Sequence, residues 1–180
     1  AVIKVKNKKN MAKVMKKYAK LGKVESISPS AVYSLQSMPD PKAGQQYQHE
    51  MLQTEKAQKL AGKNPVTVAV IDMGTDTKHP DLKGSLLPGF HIGNPANEQY
   101  PMDHGTHVSG IIAAKKGNGE GGYGVASNVK ILPIDVLDGN NYYLSDYILA
   151  EGILKAVEKG AKVINMSLGM GVYSPLTDAA

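Results

Sequence analysis

Val66-Thr67-Val68-Ala69-Val70-Ile71-Asp72-Met73-Gly74-Thr75-Asp76 is the stretch on which the fold turns. Residues 66–71 are mostly apolar and β-branched and do not alternate with polar residues, so the strand they predict is covered on both faces. A carboxylate, Asp72, stands where that strand gives way to a glycine turn. An unpaired charge at the edge of a dry interior is expensive. Asp72 therefore either accepts backbone N–H groups of the turn or belongs to a functional pair. Downstream the pattern predicts a helix from near His104 to about Lys115 and a strand in Val129–Leu137. A helix at Leu144–Lys159, with Ser145 or Asp146 near its start, and a strand at Val163–Leu168 follow. Such alternation predicts an α/β fold, a parallel sheet with helices on both faces and active groups at the C-terminal strand ends.

Upstream, residues 51–61 read as a short helix closed by Gly62, and the polar residues 37–50, with Pro39, Pro41 and Gly44, read as a linker. Residues 1–6 alternate apolar residues and lysine, the pattern of a half-buried strand. Asn10 is placed to cap a helix over 11–21, with Met11, Val14, Met15, Tyr18 and Leu21 on one stripe and Gly22 ending it. Val24–Ile27 and Ala31–Leu35 read as extended chain. Strand, helix and strand in so few residues make a module too small to be stable alone. The chain opens on a strand already under way, which reads as a processing or cloning boundary.

Composition narrows the classes. The 180 residues are 42% apolar, enough for a real core, and suit one domain or a domain with an appendage. The absence of cysteine excludes disulfides, thiolate metal sites and cysteine catalysis. The formal charge of +5 is uneven: residues 1–24 hold nine lysines and no acid, and the remainder holds twelve lysines against sixteen acids. Nucleic acid is a poor reading of the basic segment, because there is no arginine and no aromatic residues interleave as stacking platforms. No apolar run reaches 18 residues, so no membrane-spanning helix is predicted.

Met102-Asp103-His104-Gly105-Thr106-His107-Val108-Ser109-Gly110 is the second cluster with chemical content. The positive end of a helix dipole disfavours imidazolium, so a histidine there is kept neutral, as a general base requires. A metal site on His104 and His107 is the competing reading, but His-Glu-x-x-His is absent and no third ligand is evident. His107 also reads as a hydrogen-bonded structural residue. Gly117-Asn118-Gly119-Glu120-Gly121-Gly122-Tyr123-Gly124 follows a helix, the wrong order for a dinucleotide loop. It reads as a tight surface loop whose carbonyls are open to a hard cation. Neither Ser109, inside a helix, nor Ser167 is placed as a nucleophile, and no Gly-x-Ser-x-Gly occurs.

Three blocks in order resemble the subtilisin-like serine proteases, the subtilases of peptidase family S8. The first is Val68 to Gly74 followed by His79-Pro80-Asp81-Leu82, and the second is Asp103 to Gly110. The third comprises Gly124-Val125-Ala126, Val129 to Leu137 and Asn165-Met166-Ser167-Leu168-Gly169. The resemblance covers roughly residues 40–180. It implies the N-terminal half of a three-layer catalytic domain over 51–180, with Asp72 and His104 as two members of an Asp-His-Ser triad. Ser167, Leu168 and Gly169 then line the substrate cleft and pair with an extended peptide, and Asp138-Gly139-Asn140-Asn141 forms the opposite wall. Residues 1–38 resemble the last part of the family's α+β propeptide, an inhibitor-like module docked on the catalytic domain. Residues 39–50 are then the linker and processing region.

The same resemblance implies a secreted bacterial endopeptidase with protein or peptide substrates. It needs no cofactor for the chemistry, and a structural calcium ion is implied at Asp81 with carbonyls of the loop near 117–123. It places the oxyanion-hole asparagine and the nucleophilic serine in a C-terminal part beyond Ala180, as a continuation or a separate chain. The 180 residues alone are then expected to be inactive. Met73 and Asp103 depart from the pattern, which has a hydroxyl residue after the aspartate and a small residue before the histidine. They leave a second reading open, a catalytically inactive subtilase-like binding or chaperone protein.

Overall fold

The computed structural model describes residue 3 and residues 5–29, 39–93, 102–137, 144–169 and 173–180. The chain divides into two compact units, residues 1–36 and 37–180.

In the first unit a one-turn 3-10 helix, Lys8–Asn10, runs into helix α1, Met11–Ala19. The helix starts where the apolar spacing placed it, but Asn10 does not cap it. The preceding tight turn has already drawn the Asn10 backbone into helical geometry (φ −90°, ψ −4°), and its side chain makes no capping bond. Asn7 Oδ1 instead accepts the Lys9 N–H at 2.9 Å. None of the described residues among 1–6 and 24–27 is in a strand, and residues 31–35 lie outside the described set. Helix α1 buries none of its residues. Its apolar stripe, Met11, Val14, Met15 and Tyr18, faces Val5 and Val24 across an open hollow of about 700 Å³. Among its described residues this unit has apolar contacts but no closed core.

Among the described residues the second unit has four parallel strands, β1 Thr67–Asp72, β2 Phe90–His91, β3 Lys130–Asp135 and β4 Val163–Met166, in the order β2-β3-β1-β4. Three of them were legible from apolar runs. The two-residue β2 is too short to leave a periodic signal. Strand β1 is flanked on both sides, which explains its unbroken apolar sequence. Val68 and Val70 pack with Ile131 and Ala113 of helix α4, Asp103–Ala113, on one face. Ala69, Ile71, Leu132 and Ile134 pack with Ile148, Leu149, Ile153 and Ala156 of helix α5, Asp146–Glu158, on the other. Ser145 is the α5 cap, its Oγ accepting the Ile148 N–H at 3.3 Å. Gly152 lets α5 close on the sheet, since a Cβ there would stand 2.9 Å from Val136 Cγ1. Strand β4 is a sheet edge, and Val163 and Met166 are 51% and 44% exposed. Helix α6, Pro175–Ala179, packs against α5.

Residues 40–60 are tied to this second unit. The helix expected over 51–61 is two helices, α2 Gln48–Met51 and α3 Thr54–Leu60, separated at Gln53, whose backbone is left-handed (φ 50°). They strap the glycine-rich loop. The Asp40 carboxylate accepts the N–H groups of Gly117 (2.8 Å), Asn118 (3.1 Å) and Gly119 (3.3 Å). Gly117 and Gly119 have positive φ, which turns successive amides toward one point and makes an anion nest. The Gln46 side chain donates to Tyr123 O (3.1 Å) and accepts from Tyr123 N (2.9 Å), and Gln58 Nε2 bonds the Gly124 and Val125 carbonyls. His49 stacks on Tyr123 with ring centroids 3.9 Å apart, and Lys116 Nζ lies 4.4 Å from the Tyr123 ring centroid. Replacing Asp40 by alanine strands the three amides. The variant is expected to lose about 1–3 kcal/mol of stability in urea denaturation, with faster hydrogen exchange at Gly117, Asn118 and Gly119.

Candidate active site

Strand β1 carries Asp72 to its C-terminal end, 1% exposed. A carboxylate in that position must be met by donors. Its Oδ1 accepts the Met73 N–H at 2.8 Å. Its other partner comes from α4: His104 Nδ1 lies 2.8 and 2.9 Å from the two carboxylate oxygens. An ionised carboxylate only accepts, so the imidazole proton sits on Nδ1. Nε2 has no hydrogen-bond partner among the described residues, and the side chain is 48% exposed. A buried carboxylate thus holds the tilt of a half-exposed imidazole.

The sequence Gly105-Thr106-His107-Val108-Ser109 explains why α4 sits where it does. A Cβ on Gly105 would overlap the Gly74 carbonyl oxygen, so backbone rests directly on backbone. Thr106 Oγ1 accepts the Asp76 N–H at 2.8 Å. Ser109 is fully buried, with its Oγ 3.4 Å from Thr75 Oγ1. Glycine, threonine and serine at spacings of one and three residues are therefore the seat of the helix on the 72–76 turn. Sequence reasoning picked out the histidines and passed over this seat, although the residues lay between and beside them.

The other predicted positions fall as follows. Ser167, Leu168 and Gly169 directly follow β4, which neighbours β1; Ser167 is exposed and its Oγ accepts from Asn165 Nδ2 at 3.0 Å. Gly139 and Asn140 lie outside the described residues. Asp81 is buried, with Oδ1 accepting from Asn118 Nδ2 (3.1 Å) and Oδ2 from Gly122 N (3.3 Å). His107 is exposed and, with Asp76, His79, Asp103 and Ile111, lines a cavity of about 1010 Å³ beside α4. Among the described residues no group of three or more histidine and acidic side chains is arranged to hold a metal ion.

The model of the Subtilase family matches residues 63–180. The chain belongs to the subtilase family. This subtilase is 42% identical over 132 residues to fervidolysin of Fervidobacterium pennivorans, covering 67% of this chain and 19% of that protein. It is 37% identical over 164 residues to the thermophilic serine proteinase of Bacillus sp. strain AK1, covering 87% of this chain and 40% of that protein. The subtilase thus spans well under half the length of these two relatives. Among solved structures, a protease from Pseudoalteromonas arctica matches with TM-score 0.62 and 30% identity, covering 79% of this chain and 54% of that one. The crystal structure of fervidolysin matches with TM-score 0.57 and 37% identity, covering 68% and 20%. The matches bear out the parallel α/β sheet with flanking helices and the serine-protease family.

Gly105→Ala tests the seat. The added methyl forces α4 off Gly74, and the low-field Nδ1–H proton resonance of His104 in the NMR spectrum is expected to disappear while that of the unaltered chain persists.

Proposed function

We propose that this subtilase is a serine endopeptidase in which His104, oriented by Asp72, is the general base of an Asp-His-Ser triad. The observation that carries the reading is the pairing of one imidazole nitrogen with both oxygens of a buried carboxylate, on a half-exposed ring whose other nitrogen has no partner among the described residues. A base so held can take a proton from a serine hydroxyl as it attacks a peptide carbonyl, then return it to the leaving amine, after which water releases the acyl group. Asp72 keeps the ring in the tautomer that leaves Nε2 unprotonated. The serine and the oxyanion donors are assigned to a part of the protease outside these 180 residues, so this stretch alone does not hydrolyse peptides.

Ser167, Leu168 and Gly169 are assigned to one wall of the peptide cleft, with Gly139 and Asn140 on the other. Their position after β4 supports the first wall, because chain leaving a strand end offers backbone groups to an added strand. Residues 1–38 are assigned to the last part of a propeptide, a reading supported by the compact unit that residues 1–36 form and by a helix that buries nothing. The same reading makes the enzyme a secreted bacterial protease.

A structural calcium ion is assigned to Asp81 with carbonyls of the glycine-rich loop. One carboxylate with carbonyl oxygens is a hard-cation donor set. The loop fits it closely: a Cβ on Gly121 would overlap Asp81 Oδ2, and one on Gly122 would overlap Gln46 Oε1. When bound, the ion neutralises the buried Asp81 and ties it to the loop, with no part in proton transfer.

Two measurements follow. In the complete protease, Asp72→Asn is expected to lower kcat by roughly three to four orders of magnitude with little change in KM; full activity in that variant overturns the triad. Saturating Ca²⁺ is expected to raise the thermal midpoint by several degrees and to have no such effect on Asp81→Asn.

A further inference from the structure

Strands β1, β3 and β2 end side by side, and each ends on a titratable group in one row. Asp72 is the register partner of Asp135, and Asp135 that of His91. Register partners in a parallel ladder stand about 4.8 Å apart and share a face of the sheet. Here it is the α4 face, on which Val68 and Val70 also lie. A second imidazole–carboxylate pair therefore stands beside the first. His91 Nδ1 is 2.8 Å from Asp135 Oδ2, and the Leu137 N–H donates to Asp135 Oδ1 at 3.0 Å.

The pairs differ at the far nitrogen. The His104 side chain is 48% exposed, whereas His91 Nε2 is enclosed and has no hydrogen-bond partner among the described residues. His91 is thus not built to exchange protons with a substrate. The Asp135 carboxylate also stands beside the seat of α4: its Oδ2 lies 3.4 Å from where a Cβ on Gly74 would stand, and Gly74 is what Gly105 rests on. Two neighbouring carboxylates oppose each other's charge and both favour imidazolium at His104, unless one of them is compensated.

We propose that His91 and Asp135 are positioning residues for the Asp72–His104 couple. His91 compensates the carboxylate beside Asp72, so that Asp72 alone acts on His104, and Asp135 braces Gly74 under the first turn of α4. The proposal rests on the reading of His104 as the base. The other described charged groups near the couple are Asp76 on the turn after β1 and Asp103 and His107 on α4, all at least partly exposed. From α5, Lys155 and Lys159 approach the Phe90 ring at 5.8 and 5.1 Å, on the opposite face of β2 from His91.

The test is the pH titration of the His104 ring resonances, followed by NMR in the 180-residue chain, where per-residue signals separate coupled steps. His91→Phe leaves Asp135 uncompensated and is expected to raise the His104 midpoint by about half a pH unit. His91→Phe/Asp135→Asn is expected to bring it back to the starting value or below, and Asp135→Asn alone to lower it. An unmoved midpoint in His91→Phe, or a rise that persists in the double variant, overturns the proposal. If His91→Phe does not fold, an unmoved midpoint in Asp135→Asn overturns it. Asp72→Asn separates the two readings. If it fails to lower the midpoint, the base assignment itself falls; if it lowers the midpoint and Asp135→Asn does not, only the positioning role falls.

Discussion

The contact between Gly105 and the Gly74 carbonyl is the constraint on which the rest of the site depends. It is a backbone-on-backbone contact, so no side-chain rotamer can absorb an error in it. With the two main chains touching, the distance from the start of α4 to the end of β1 is set, and His104 falls within hydrogen-bond reach of both Asp72 oxygens. Thr106 and Ser109 bond the same turn one and four residues further along. The helix therefore meets the strand end at three points. Rigid support of this kind is what a base needs if its ring is to be held by one buried partner while remaining half in water.

The sheet supports this seat from below. Strand β1 lies between β3 and β4 and is packed on both faces, so its end is among the least movable points of the chain. The buried carboxylate is tolerated there because its charge is met at once by a backbone amide and an imidazole. Around the other end of α4 the logic is polar instead of apolar. The glycine-rich loop that follows the helix carries few side chains to bury. It is held by hydrogen bonds from Asp40, Gln46 and Gln58 to its own backbone. Glycine permits those close approaches, and the strap supplies the side chains that the loop lacks.

The edges of the second unit and the face of the first have a different character. Strand β4 exposes Val163 and Met166, and α1 lines an open hollow with its apolar stripe. Both surfaces are apolar and uncovered by the described residues of their own unit.

The amino-acid sequence by itself determined the parts of this protein that repeat or punctuate. Apolar runs identified β1, β3 and β4, and helical spacing located α1, α4 and α5 to within a few residues. The isolated carboxylate at 72 and the histidine at 104 stood out because neither has a packing role. Tertiary structure decided whatever depended on residues far apart in the chain. Residues 40–60 read as a polar linker and a single helix, and only their bonds to loop 117–125 make them a strap. Asn10 had the right chemistry for a cap but met a backbone already helical. His91 and Asp135 lie 44 residues apart on strands too short or too apolar to advertise them, and β-sheet register alone brings them together. The physical reason is common to the strap and the His91–Asp135 pair. Periodicity and propensity report on neighbours along the chain, whereas hydrogen bonds between remote segments exist only once the sheet has set their distance.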